Sequence, residues 1–97
     1  MATYIMLANF TEQGIRTVKE TPKRAEAFAQ LCEKVGAKLK ETYRTMGHYD
    51  VVAIVDCPDD LTMSSLLYAV GALGNIRTET LRAFTLQETN AALAKMP

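Results

Sequence analysis

Two strands that are apolar at successive positions, two that carry lysine, arginine and glutamate, and two intervening helices predict an α+β fold. In chain order they read β-α-β-β-α-β. Two right-handed β-α-β crossovers sharing a hairpin give the ferredoxin-like sandwich. Its four-stranded antiparallel sheet has the order 4-1-3-2, and both helices lie on one face. The first and third strands are apolar on both faces, yet two helices cover only one. Antiparallel sheets with a solvated face normally alternate apolar with polar residues. A sheet-to-sheet oligomer of the dimeric α/β-barrel type is therefore expected, because large exposed apolar patches mark interfaces.

The first strand is expected over Thr3 to Asn9, a β-rich apolar run. Ile5 and Leu7 point one way, and Tyr4, Met6, Ala8 and Phe10 the other. Phe10 to Glu20 reads as a polar connection containing Gly14. A helix follows, with Thr21 as N-cap and Pro22 at the first helical position. Ala25, Phe28, Ala29, Cys32 and Val35 recur at helical spacing, and Gly36 ends the helix in a left-handed cap. The second strand spans Ala37 to Met46 and is polar and charged. Gly47-His48 is expected as a two-residue hairpin loop, glycine supplying the positive φ of a type II′ turn.

Asp50 to Cys57 is the third strand, with Val51, Ala53 and Val55 on one face and Val52 and Ile54 on the other. Pro58-Asp59-Asp60 opens a second helix, with proline in its first turn and the acids at the positive end of the helix dipole. It runs to about Leu73, and Gly74-Asn75 stops it. The fourth strand spans Ile76 to Leu86, and Glu88 to Lys95 forms a short terminal helix. Charges on the second and fourth strands suit sheet edges, where they discourage unwanted pairing.

One domain spans residues 1–97. Eleven basic side chains balance eleven acidic ones, so the chain lacks the positive field that phosphate binding needs. The third strand has no aromatic on which to stack a base. Nucleic acid is not an expected partner. The longest apolar stretch is far short of the ~20 residues that span a bilayer, and no signal peptide is expected. Cys32 and Cys57 have neither CxxC spacing nor a zinc constellation and read as reduced core residues. The expectation is a cytoplasmic protein without cofactor or metal.

The chain's single histidine, His48, sits beside Tyr49 and Asp50. This group is able to exchange protons near neutral pH, but it also fits a solvated hairpin tip. Pairing across the loop sets Thr45 against Asp50 and Met46 against Tyr49. Asp50 is then placed to bond the turn backbone or Thr45. Arg82 shares a face with Ile76 and Phe84, which aims its guanidinium at a cavity, as an anchor for an anionic ligand at the sheet interface. Arg77, Glu79 and Arg44 read as solvated edge charges or as intersubunit ion pairs. Tyr43, His48, Tyr49, Asp50 and Arg82 are the candidate ligand contacts. No catalytic residue is assigned. Ser64-Ser65 has no base beside it, and Gly71 to Gly74 lacks the features of a phosphate loop.

The segments GHYDVVAIVDCPDD and GNIRTETLRAFT, with the opening TYIMLANFTEQGIRTVKETPKRAEAF, resemble the GYD-domain family of small proteins, mostly bacterial. Gly47, Tyr49 and Asp50 match its glycine-tyrosine-aspartate signature, with His48 in the variable place. The resemblance covers essentially the whole chain. It implies a ferredoxin-like fold that oligomerises, and it brings no activity, cofactor or catalytic residue.

The function expected is an oligomeric small-molecule-binding or regulatory module with an apolar pocket near the sheet interface, its partners being further copies of itself and a small ligand. The alternative is a cofactor-independent enzyme, monooxygenase- or isomerase-like, acting on a small aromatic or quinone-like substrate. That alternative rests on fold analogy.

Overall fold

The computed structural model describes residues 1–97. Its elements are β1 (Ala2–Phe10), α1 (Glu12–Arg16), a 3-10 turn (Val18–Glu20), α2 (Thr21–Lys34), β2 (Lys38–Arg44), β3 (Val51–Cys57), α3 (Asp60–Ala72), β4 (Ile76–Ala83) and α4 (Leu86–Ala94). The strands form one antiparallel sheet in the order β2-β3-β1-β4. The two apolar strands are central and the two charged ones are edges, as expected.

The pairing register sorts the side chains into cross-sheet rows. Leu39, Val55, Tyr4 and Arg82 form one row, and Thr42, Ala53, Met6 and Thr80 the next. These rows face the helices. The core is built from Tyr4, Met6, Ala8, Val51, Ala53, Val55 and Cys57 of the sheet against Phe28 and Cys32 of α2 and Met63, Leu66 and Val70 of α3. Burying a side chain such as Leu66 or Met63 contributes about 1.5–3 kcal/mol each. Cys32 and Cys57 have no accessible surface and are free thiols.

Three local features differ from expectation. The Phe10–Glu20 connection contains α1. Thr11 caps it, its hydroxyl accepting the Gly14 N–H at 3.0 Å and donating to the Gly74 carbonyl at 2.6 Å. Gly14 is not a turn residue. A Cβ there would lie 1.9 Å from the Asn75 carbonyl oxygen, so glycine is needed for close backbone approach.

Thr21 is not the cap of α2. The 3-10 turn runs directly into the helix, so Thr21 is already helical (φ −49°, ψ −44°), and its hydroxyl donates to the Val18 carbonyl. The cap position falls to Glu20, which makes no side-chain capping bond.

Pro58 lies outside α3. Asp59 is the N-cap, accepting the Thr62 N–H at 2.8 Å. That bond holds its carboxyl below the ordinary value.

Gly36 takes the expected left-handed conformation (φ +76°) after α2. β4 stops at Ala83 because Thr85 caps α4 in a reciprocal box with Glu88. No residue of α4 is buried.

Candidate functional site

The face of the sheet away from α2 and α3 carries its own rows. Tyr43, Val52, Leu7 and Glu79 are paired neighbours, as are Glu41, Ile54, Ile5 and Leu81. No helix covers them. Ile5, Leu7, Val52 and Ile54 are half-buried only by one another and by flanking side chains. At the edges Leu81 is 46% exposed and Tyr43 53%. The result is an aliphatic centre with charge at its rim: Lys40 reaches Asp56 at 3.8 Å, and Tyr49 donates to Glu79 at 2.9 Å.

The hairpin that displays the Gly-His-Tyr-Asp stretch is wider than a two-residue loop. Regular pairing ends at Arg44–Val51. Beyond it, the Thr45 N–H donates to the Asp50 carbonyl at 2.9 Å and the Thr45 hydroxyl to the Tyr49 carbonyl at 2.5 Å. Thr45 and Asp50 thus face each other as expected, while Met46 and Tyr49 make no ladder pair. Gly47 has the expected positive φ, +111°. His48 is exposed at the tip.

The Asp50 side chain does not brace its own turn. Its carboxylate accepts the Phe10 N–H at 3.0 Å, and its backbone N–H donates to the Ala8 carbonyl at 2.9 Å. It closes the end of β1, where the strand runs past its pairing with β3 and the N–H on that side would otherwise lack a partner.

Tyr49 extends over the open face, where it borders a depression with Leu7, Asn9, Arg77 and Glu79. Its bond to Glu79 raises the phenol above its ordinary value. Tyr43 lies on the same face in β2 and donates to Glu41, which raises its phenol too.

Arg82 does not lie on the open face of the sheet. It faces the helix side, paired across from Tyr4. Its guanidinium carbon lies 5.7 Å from the Tyr4 ring centre and 4.5 Å from that of Phe84. Nη2 meets the Glu88 carboxylate at 3.1 Å, and Nη1 donates to the Ala83 carbonyl. The arginine anchors the start of α4. Beside it, burial and a hydroxyl bond to Asp60 push the Tyr4 phenol up to about 12. The five expected contacts therefore do not converge. Tyr43 and Tyr49 share the open face, His48 is at a tip, Asp50 clamps β1, and Arg82 lies behind the sheet.

The apolar cavity also lies behind the sheet, not at its open face. It measures about 90 Å³ and sits between α2, the end of α3 and the β2–β3 hairpin. Phe10, Phe28, Leu31, Leu39, Val51, Val70 and Ile76 are among its walls. Two of its lining residues are arginines, Arg24 and Arg44, and none is acidic.

The Arg24 guanidinium packs near Phe10, 5.9 Å from its ring centre. Nη2 donates to the carbonyls of Gly14, at 3.1 Å, and Thr17. Nε and Nη1 are shielded from water and donate to nothing. No carboxylate pairs with either arginine; the chain's ion pairs are Arg16–Glu12, Lys40–Asp56 and Arg82–Glu88. A sign of this site is present in the spacing. Arg24 falls four and seven residues before Phe28 and Leu31, on the inward stripe of α2.

No group of three or more His, Cys, Asp and Glu side chains is placed to hold a metal. No helix is long and apolar enough to cross a membrane.

Comparison with known proteins agrees with this architecture. A protein of Thermus thermophilus, named glutamine synthetase and cystathionine beta-lyase binding protein, is 29% identical over 94 residues. The match spans 96% of this chain and 99% of that protein. The crystal structure of TTHA0845, also from Thermus thermophilus, matches with a TM-score of 0.57 and 25% identity, covering 88% of this chain and 95% of that one. The GYD domain matches residues 4–93. With nine-tenths of its length inside that match, the chain belongs to the GYD-domain family.

Proposed function

We propose that this chain is a non-catalytic, regulatory protein-binding module that assembles with itself through its open sheet face. One observation carries the reading. The two central strands place Ile5, Leu7, Val52 and Ile54 side by side on a face that none of the chain's own helices covers. Aliphatic rows of this kind are stable in water when a second apolar surface removes them from it. A second copy presents the same rows, which suits a two-fold, self-complementary contact. Tyr43 and Tyr49 flank the rows and serve as aromatic rim contacts in this assembly, a role to which tyrosine is suited by its apolar body and polar tip.

The Thermus relative is named for binding glutamine synthetase and cystathionine beta-lyase. We extend that class of partner, an enzyme of amino-acid metabolism, to the assembled form of this chain.

Light scattering on the purified protein tests the self-association. The wild type is expected as a dimer or larger at micromolar concentration. Ile54→Lys sets a charge in the centre of the face and is expected to give a folded monomer. A wild type that stays monomeric overturns the self-association. Purified glutamine synthetase and cystathionine beta-lyase from the same organism, passed over immobilised wild-type chain, test the wider reading. Retention of either supports it, and retention of neither overturns it.

A further inference from the structure

We propose that the depression beside Tyr49, at the end of the open sheet face, binds a free α-amino acid with an aliphatic side chain, its carboxylate on Arg77 and its ammonium on Glu79. One chain forms the whole site, so the inference does not depend on assembly through that face.

The place follows from the register. The pairing of β1 with β3 ends at Ala8–Val51, while β1 and β4 stay paired through Asn9–Arg77 to Phe10–Ile76. Tyr49, just before β3, reaches over β1, and its hydroxyl donates to Glu79 Oε1 of β4 at 2.9 Å. The depression left there measures about 320 Å³, the scale of a small-ligand site. Leu7 and Tyr49 are half-buried beside it and supply its apolar surface.

Its charges are opposite and do not satisfy each other. Arg77 and Glu79 project from the same face of β4, about 6.6 Å apart along the strand. Neither belongs to any of the chain's ion pairs. Glu79 spends one oxygen on Tyr49. Arg77 offers a guanidinium with five N–H donors, and Asn9, its neighbour across the pairing, adds an amide. An anion alone would be drawn to Arg77 but repelled by Glu79, and an amine alone the reverse. An α-amino acid carries an ammonium and a carboxylate on a single carbon. It bridges the interval between the two side chains and gains a charge-assisted bond at each. Its side chain then lies against Leu7 and the Tyr49 ring, which favours an aliphatic one.

L-Leucine is the probe, with two analogues that each lack one charge: isocaproate, without the ammonium, and isoamylamine, without the carboxylate. Isothermal calorimetry and amide NMR follow the titrations. Leucine is expected to saturate at millimolar concentration, shifting resonances of Leu7, Asn9, Tyr49, Arg77 and Glu79. Each analogue should bind at least about tenfold more weakly, the effect of losing one charge-assisted bond. Arg77→Gln should bind leucine and isoamylamine alike, and Glu79→Gln leucine and isocaproate alike. Both residues are exposed on an edge strand, so both variants are expected to fold. Ile54→Lys, outside the depression, should bind leucine as the wild type does, so this site and the assembly surface fail or succeed separately. The proposal is overturned if leucine does not saturate, if either analogue binds as tightly as leucine, or if the shifted resonances lie in the cavity beneath α2. It is equally overturned if both charge variants keep the wild-type preference for leucine.

Discussion

The carboxylate of Asp50 accepts a backbone N–H forty residues away in the chain, and this bond explains the last residue of the Gly-His-Tyr-Asp stretch without invoking a ligand. Asp50→Ala leaves the Phe10 N–H unsatisfied at the point where β1 runs past its pairing with β3, a loss of about 1–3 kcal/mol. Asp50→Asn keeps an acceptor oxygen there and should lose less. His48→Ala, at the exposed tip, is expected to stay within about 0.5 kcal/mol of the wild type. Urea denaturation of the three variants checks this order, and a His48 variant less stable than Asp50→Ala contradicts it. Sequence reading places Asp50 opposite Thr45 correctly, because hairpin pairing is a local property. It does not find the bond to Phe10, because that acceptor geometry arises only once β1 lies beside β3. Arg24 escapes it for the same reason. Its stripe position on α2 is visible, but the absence of any acid around it depends on side chains from β2, β3, α3 and β4.

Among the elements, the four strands and the helices α2 and α3 are legible in the sequence because each has a strong internal pattern. α1 is not. Five residues are too few to form a helix from propensity alone; this one is fixed by bonds from Thr11 and Gln13 to the Leu73–Asn75 turn. α4 presents the opposite case, a helix held by its start and by little else. The Thr85–Glu88 box and the Arg82–Glu88 pair fix its first turn. The Thr85 N–H and Arg82 hold the Glu88 carboxyl below its ordinary 4.5. The folded form thus binds fewer protons there than the unfolded form. The stabilisation is complete above the ordinary value and is lost as pH falls through the lowered one. Far-UV circular dichroism should therefore show α4 melting in acid before the core does. Thr85→Ala, with a cap loss of about 1 kcal/mol, should remove that helical signal at neutral pH while leaving the urea midpoint of the core in place. A shift of the core midpoint by the full amount would mean that α4 is integral to the fold.

The whole molecule measures 51 × 30 × 18 Å, with a radius of gyration of 14.6 Å. A compact chain of this length is expected near ~12.5 Å. The excess and the thin dimension share a cause: one layer of helices on one sheet face, with a terminal helix that buries nothing. Only 14 of 97 residues are buried, so the core is one-sided and the margin of stability small. If the open face is covered by a second copy, burial and association are one equilibrium, and stability depends on concentration. The melting temperature should rise by several degrees between about 1 and 100 μM in the wild type and stay constant in Ile54→Lys. A wild-type melting temperature independent of concentration counts against assembly through this face.

The same one-sided core gives the chain a chemical clock. Cys32 and Cys57 lie in its wall with no accessible surface, and burial pushes the Cys32 thiol up to about 11. A thiol that is both protonated and enclosed does not attack an alkylating reagent, form a mixed disulfide or climb the oxidation ladder. Each of these reactions waits for the sheet and helices to part. The rate at which the two sulfurs acquire a label therefore counts how often the core opens, and the native thiols serve as the reporting sites without any engineered residue.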